Sequence, residues 1–146
     1  MPLKPTLSFL FLLCFGLSGL LAQIPKNPAG EYAFKPAMKD GTTFEYVLSL
    51  NENGTYFFSI LRLLPKGDDY QYNEVGHWEV NKKGLIVFAP SKEIKSSTDP
   101  DLSNASARLV RKRSIWDPDG VHPYLLKFMR SSSNWINGLE LFPVAR

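Results

Sequence analysis

Two histidines, one cysteine and a short run of cations are the residues of this chain with the most direct chemical uses. His77 lies in the segment GHWEV and His122 stands just before Pro123. Zinc sites take three or four close ligands, and the spacing supplies nothing to join this pair. Asp117-Pro118-Asp119-Gly120 has the opening of a calcium loop but not the further acids and distal Glu that such a loop needs. A proline turn accounts for it, and Asp99-Pro100-Asp101 reads the same way. No serine occupies a Gly-x-Ser-x-Gly elbow, and no spacing pairs two carboxylates across one cleft as a glycosidase requires. The sequence therefore predicts no catalytic residue, no metal and no cofactor. It reads as a non-enzyme.

Arg108, Arg111, Lys112 and Arg113 place four cations within six residues. In an extended strand Arg108 and Lys112 point one way and Arg111 and Arg113 the other. Charge on both faces fits an edge, where it discourages aggregation, or a patch for an anionic partner such as a lipid headgroup, a polysaccharide or an acidic protein. Nucleic acid is not expected. Only Trp116 adds an aromatic nearby, and 17 basic against 14 acidic residues, a net +3, is too mild an excess. Asn53-Gly54-Thr55 and Asn104-Ala105-Ser106 fit the glycan acceptor rule, and in a bacterial envelope both would be inert.

The elements that position these residues begin after a leader. Residues 1–22, MPLKPTLSFLFLLCFGLSGLLA, join one Lys to an apolar run and end on a small Ala, the pattern of a cleaved secretory signal. The run is too short for the ~20 apolar residues of a spanning helix, so no transmembrane segment is expected after cleavage. Cys14 reads as a small hydrophobe inside the leader. Removing twenty-two residues from 146 leaves 124 without cysteine, which excludes disulfides and thiol chemistry. One exported domain, residues 23–146, is predicted, periplasmic or extracellular. A cysteine-free domain held by its core alone favours a Gram-negative envelope.

Strand-like runs follow, divided by turn clusters: 30–35, 43–50, 55–64, 74–81, 85–89, 107–116, 124–130 and 139–144. Phe44, Tyr46, Leu48 and Leu50 alternate with polar residues, the period of a strand with one buried face. Asn51-Glu52-Asn53-Gly54 predicts a hairpin. In 55–64 Tyr56, Phe58 and Ile60 share one face while Phe57, Leu61 and Leu63 share the other, so this strand needs a second cover. Residues 90–106 are rich in Pro, Ser and Asp and predict a long loop. The fold class predicted is all-β, an antiparallel up-and-down meander closing into a small barrel of about eight strands, since closure removes exposed edges.

The order of Gly30-Glu31-Tyr32, then Leu50-Asn51-Glu52-Asn53-Gly54-Thr55-Tyr56, then Gly76-His77-Trp78, resembles small lipocalin-like domains of bacterial envelopes. It is also similar to the barrel of copper-homeostasis outer-membrane lipoproteins. The likeness covers residues 30–89, without the lipidated cysteine or the Cys-x-x-Cys pair of those lipoproteins. It implies a barrel around a small apolar ligand, with Phe44, Tyr46, Leu48, Trp78, Val80 and Phe128 as inward candidates. Side chains alone can also fill an eight-strand interior. The alternative role is a structural or protein-interaction module of the envelope, docking a partner protein through Phe57 and Leu61.

Overall fold

The computed structural model describes residues 25–91, 101–112, 116 and 123–145. The leader with Cys14, the Asp99-Pro100 pair, Arg113, the turn at 117–120 and His122 lie outside the described residues. Eight strands follow one another: β1 (Gly30–Phe34), β2 (Thr43–Leu50), β3 (Thr55–Leu63), β4 (Tyr70–Val80), β5 (Ile86–Pro90), β6 (Ser106–Arg111), β7 (Tyr124–Arg130) and β8 (Glu140–Pro143). Each pairs antiparallel with its neighbours in sequence, and β8 returns to β1 through Tyr32 opposite Pro143 and Ala33 opposite Phe142. The meander therefore closes as an eight-stranded barrel. Among the described residues no helix is long and apolar enough to cross a membrane.

Two strands differ from their sequence expectation by more than one residue at an end. β4 begins at Tyr70, ahead of the predicted residue 74, because Tyr70 and Tyr72 face inward between outward Gln71 and Asn73. β6 ends at Arg111 rather than 116. It is no free edge along its whole length, since it pairs with β7 throughout and with β5 at Ala107 and Ser106.

Registers across β1 to β4 stack the interior in rows. Tyr32, Leu48, Phe58 and Glu74 form one row; Phe34, Tyr46, Ile60 and Tyr72 the next; Phe44, Arg62 and Tyr70 the outermost. From the far wall Ile86, Phe88, Ala107, Leu126, Phe128 and Leu141 meet them, each buried. The rings of Phe88 and Phe128 stack at 5.7 Å between centroids, and Tyr56 meets Phe88 edge-on at 5.3 Å. Such arrangements add to what burial alone contributes.

Two hairpins at one end share a device. In each, Asn heads a three-residue loop whose Gly takes a left-handed φ: 81° at Gly54 and 74° at Gly84. Gly54 N donates to the Asn51 carbonyl at 3.0 Å and Gly84 N to the Asn81 carbonyl at 2.9 Å. This is a type I turn closed by a left-handed residue, which suits Gly. Asn53 keeps an ordinary φ and works through its side chain, whose Oδ1 accepts from Thr55 N at 3.0 Å. Trp78 then ties β4 to the first hairpin. Its backbone N donates to the Gly54 carbonyl at 2.8 Å and its indole Nε1 to the Asn51 carbonyl at 3.0 Å.

Gly76 has a different reason. A Cβ there would stand 2.7 Å from Tyr56 Cε1 and 2.8 Å from Pro90 Cα, and against the Ala89 carbonyl oxygen. The ring of Tyr56 lies where a side chain would be, opposite Gly76 in register. Gly76→Ala is expected to lower unfolding stability by about 1–3 kcal/mol, the usual cost of overpacking a tight site. Urea denaturation checks this; an unchanged midpoint would contradict the packing described.

Candidate functional site

The connections at 35–42, 64–69 and 131–139, with the described residues 101–105 of the β5–β6 connection, gather at one end of the barrel, the mouth. Two of them carry plugs. Leu102 and Ile136 are buried completely. The turn at 101–105 is shaped by Ala105 N donating to the Leu102 carbonyl at 3.0 Å and by Asn104 at φ 57°. The 131–139 connection is held by Ile136 N and Asn137 N, both donating to the Ser133 carbonyl at 3.1 Å. Sequence reading missed both plugs. Leu102 stood alone inside a polar stretch, and Ile136 lay between runs with no strand period.

Beneath Leu102 lies a polar node. Tyr56 Oη donates to Glu74 Oε1 at 2.6 Å and Tyr72 Oη to Oε2 at 2.7 Å, while Leu102 N approaches the same carboxylate at 3.3 and 3.4 Å. A buried carboxylate needs such donors. Burial first, and then the bond to Glu74, push the Tyr56 phenol far above its ordinary range. Burial likewise raises Tyr32, with the Tyr124 phenol adding to it, and raises Tyr46.

The outermost row forms an aromatic rim around a cation. Phe44 stacks on Tyr46 at 6.1 Å and tilts against Trp135 at 5.8 Å. Buried Ile136 anchors its neighbour Trp135, which remains 46% exposed. Arg62, between Phe44 and Tyr70 in register, holds its guanidinium carbon 5.6 Å from the Tyr70 ring centroid, a cation–π geometry. Among the described residues its Nε is buried without a hydrogen-bond partner, an uncommon state for a buried donor. Arg62, Tyr70 and Trp135 were not among the sequence candidates. The signal for Arg62 was its even position beside Tyr56, Phe58 and Ile60, which puts a cation on an otherwise apolar inner face.

The predicted lining residues separate into groups. Leu48 and Phe128 are fully buried in the core and Tyr46 nearly so, while Phe44 is half-buried at the rim. Trp78 sits half-buried at the opposite end, committed to Asn51. Val80 keeps the inward parity of β4 but lies past the end of the core, 46% exposed. The wall thus does not bring the six around one chamber.

The three described cations of the basic run, Arg108, Arg111 and Lys112, separate too. Lys112 and Lys127 share Glu140 at 3.5 and 3.1 Å, and Lys112 also stands over the Phe142 ring at 5.7 Å. The Lys127 bond, with Lys112 behind it, holds the Glu140 carboxyl below the usual range. Arg111 faces Tyr124 in register and is engaged, while Arg108 is exposed on the outer face. His77 also faces outward.

Two outcomes test the node and its tyrosines. Tyr56→Phe is expected to cost roughly 1–3 kcal/mol, the loss of a bond to a charged acceptor, and Glu74→Leu more, since it strands two hydroxyls; equal stability of all three proteins would refute the node. The second concerns alkali. Phenols raised in the fold but near 10 when unfolded contribute stability fully below about pH 10, lost as pH climbs toward their folded values. Phenolate absorbance should therefore show fewer than the six tyrosines ionising in the native protein around pH 10, with the remainder appearing only on unfolding.

No family model matches the chain, and a search of curated proteins finds no match either. The geometry of the barrel and its two ends is what bears on function.

Proposed function

We propose that the protein is an exported, non-enzymatic, lipocalin-like binding barrel of the cell envelope that takes a small amphipathic molecule at its mouth. The apolar portion lies against Phe44, Tyr46 and Trp135, and an acceptor, best an anion, meets Arg62. One observation carries the reading: the buried, unpartnered Nε of Arg62 within an aromatic rim. The placement is shallow. Leu48, Phe58 and Phe128 occupy the deeper rows, so the ligand is a rim occupant with its head beside Arg62 rather than a guest enclosed along the barrel axis. The likeness of residues 30–89 to lipocalin-like domains and the leader-like residues 1–22 support the class and the location.

Laurate and its matching alcohol, dodecanol, separate the two halves of this reading. Tryptophan fluorescence should report saturable laurate binding, lost on Trp135→Ala. Arg62→Gln should weaken laurate about tenfold or more, the worth of a charge-assisted hydrogen bond, and leave dodecanol unchanged. Absence of saturable binding, or equal laurate affinity in the Arg62 variant, would reject it.

A second reading has its own observation. Phe57 and Val75 stand directly opposite on the outer face of β3 and β4, 38% and 47% exposed, with Leu63 40% exposed farther along. That surface supports the protein-interaction alternative, an envelope protein docking on the outside of the wall. Val75→Lys should then abolish the capture of a specific envelope partner while laurate binding persists. A partner retained equally well would remove this reading alone.

A further inference from the structure

Away from the mouth, a cleft of about 260 Å³ is lined by Lys26, Lys83 and Arg108 together with Pro28, Val80 and Leu109. Its three cations come from separate parts of the chain: the segment before β1, the β4–β5 turn and β6. Among the described residues no carboxylate lines it. Among the described residues none of the three side chains is in an ion pair, although Lys112 and Lys127 on the same wall converge on Glu140. Like charges gathered without a counterion repel one another, and the low-dielectric walls beside them sharpen the field. The β-ladder adds to the opening. Among the described residues β5 meets β6 only at Ile86 with Ala107 and Val87 with Ser106, so the β5–β6 ladder stops at Ala107.

We propose that this cleft binds a phosphate ester, its oxygens among Lys26, Lys83 and Arg108 and its carbon skeleton against Val80 and Leu109. A group with several oxygens and up to two charges matches one guanidinium fork and two ammonium points better than a single carboxylate does. A soluble phosphate ester and the headgroup of an anionic phospholipid present the same chemistry. The site is independent of the rim around Arg62, and the two stand or fall separately.

Glycerol phosphate followed by calorimetry, and flotation with phosphatidylcholine vesicles with or without phosphatidylglycerol, test the cleft on the whole protein. Lys83→Gln and Arg108→Gln should each weaken binding about fivefold, near the worth of one cation at an anionic surface. Lys112→Gln alters net charge equally but removes a cation already engaged by Glu140, so it should change binding little. Because Lys83 occupies an exposed turn, its variant reports on the site whatever the Arg108 variant does to folding. Calorimetric binding of glycerol phosphate identifies a soluble ester as sufficient; binding only to phosphatidylglycerol vesicles identifies the lipid headgroup. No binding to either probe, or a Lys112→Gln loss as large as that of Lys83→Gln, overturns the proposal.

Discussion

The seating of Tyr56 over Gly76 is the constraint from which most of this barrel follows. Because position 76 has no side chain, the ring can lie on the backbone of β4 and send its hydroxyl to Glu74. That contact places a carboxylate in the interior, where it must be surrounded by donors. Tyr72 supplies one and the backbone of Leu102 approaches as another, so the mouth connection at 101–105 is drawn down onto the core. Two residues farther along β4, Trp78 ties the adjoining hairpin through the Asn51 carbonyl. One stretch of β4 thus sets the packing of the interior, the seating of a plug and the closure of a turn.

This dependence explains why the pattern of the sequence and the pattern of the site diverge. The segments Leu50 to Tyr56 and Gly76 to Trp78 are joined in space by Trp78 over Asn51 and Tyr56 over Gly76. Their order is the mark of a structural corner. A likeness carried by such a corner speaks for the wall, since any chain that builds it needs the same turn, the same gap and the same indole. It says little about the mouth, whose residues Arg62, Tyr70 and Trp135 lie outside those segments.

Much of the fold was legible because strand period and turn chemistry are local. The alternation in 43–50 put Tyr46 and Leu48 inside, and Asn51 with Gly54 ended the strand where the structure ends it. What failed to show was long-range. Leu102 is buried because Glu74, far away in sequence, presents a carboxylate to its amide; nothing near Leu102 announces this. Val80 has the parity of an inward residue, but parity does not say where the core stops. The four cations read as one patch because they are neighbours in the chain, but among the described ones Glu140 on β8 engages Lys112 and not Arg108. Arg108 instead lines a cleft with Lys26 and Lys83.

Closure directs where such a molecule can act. In a closed meander the ladder groups of the wall are largely satisfied, and the core rows here are filled by rings and branched side chains. Unsatisfied chemistry is therefore displaced to places where the ladder or the packing runs out. The rim is one, where the row above Ile60 ends in Arg62, whose Nε has no partner among the described residues. The short seam between β5 and β6 is the other, where cations border a gap in the ladder. The first is aromatic with a single cation and the second is mainly cationic over a few apolar atoms, so the two differ in chemistry. A barrel held together through one corner of β4 leaves both places outside the contacts that fix the wall, so scaffold and surface are separated within one small fold.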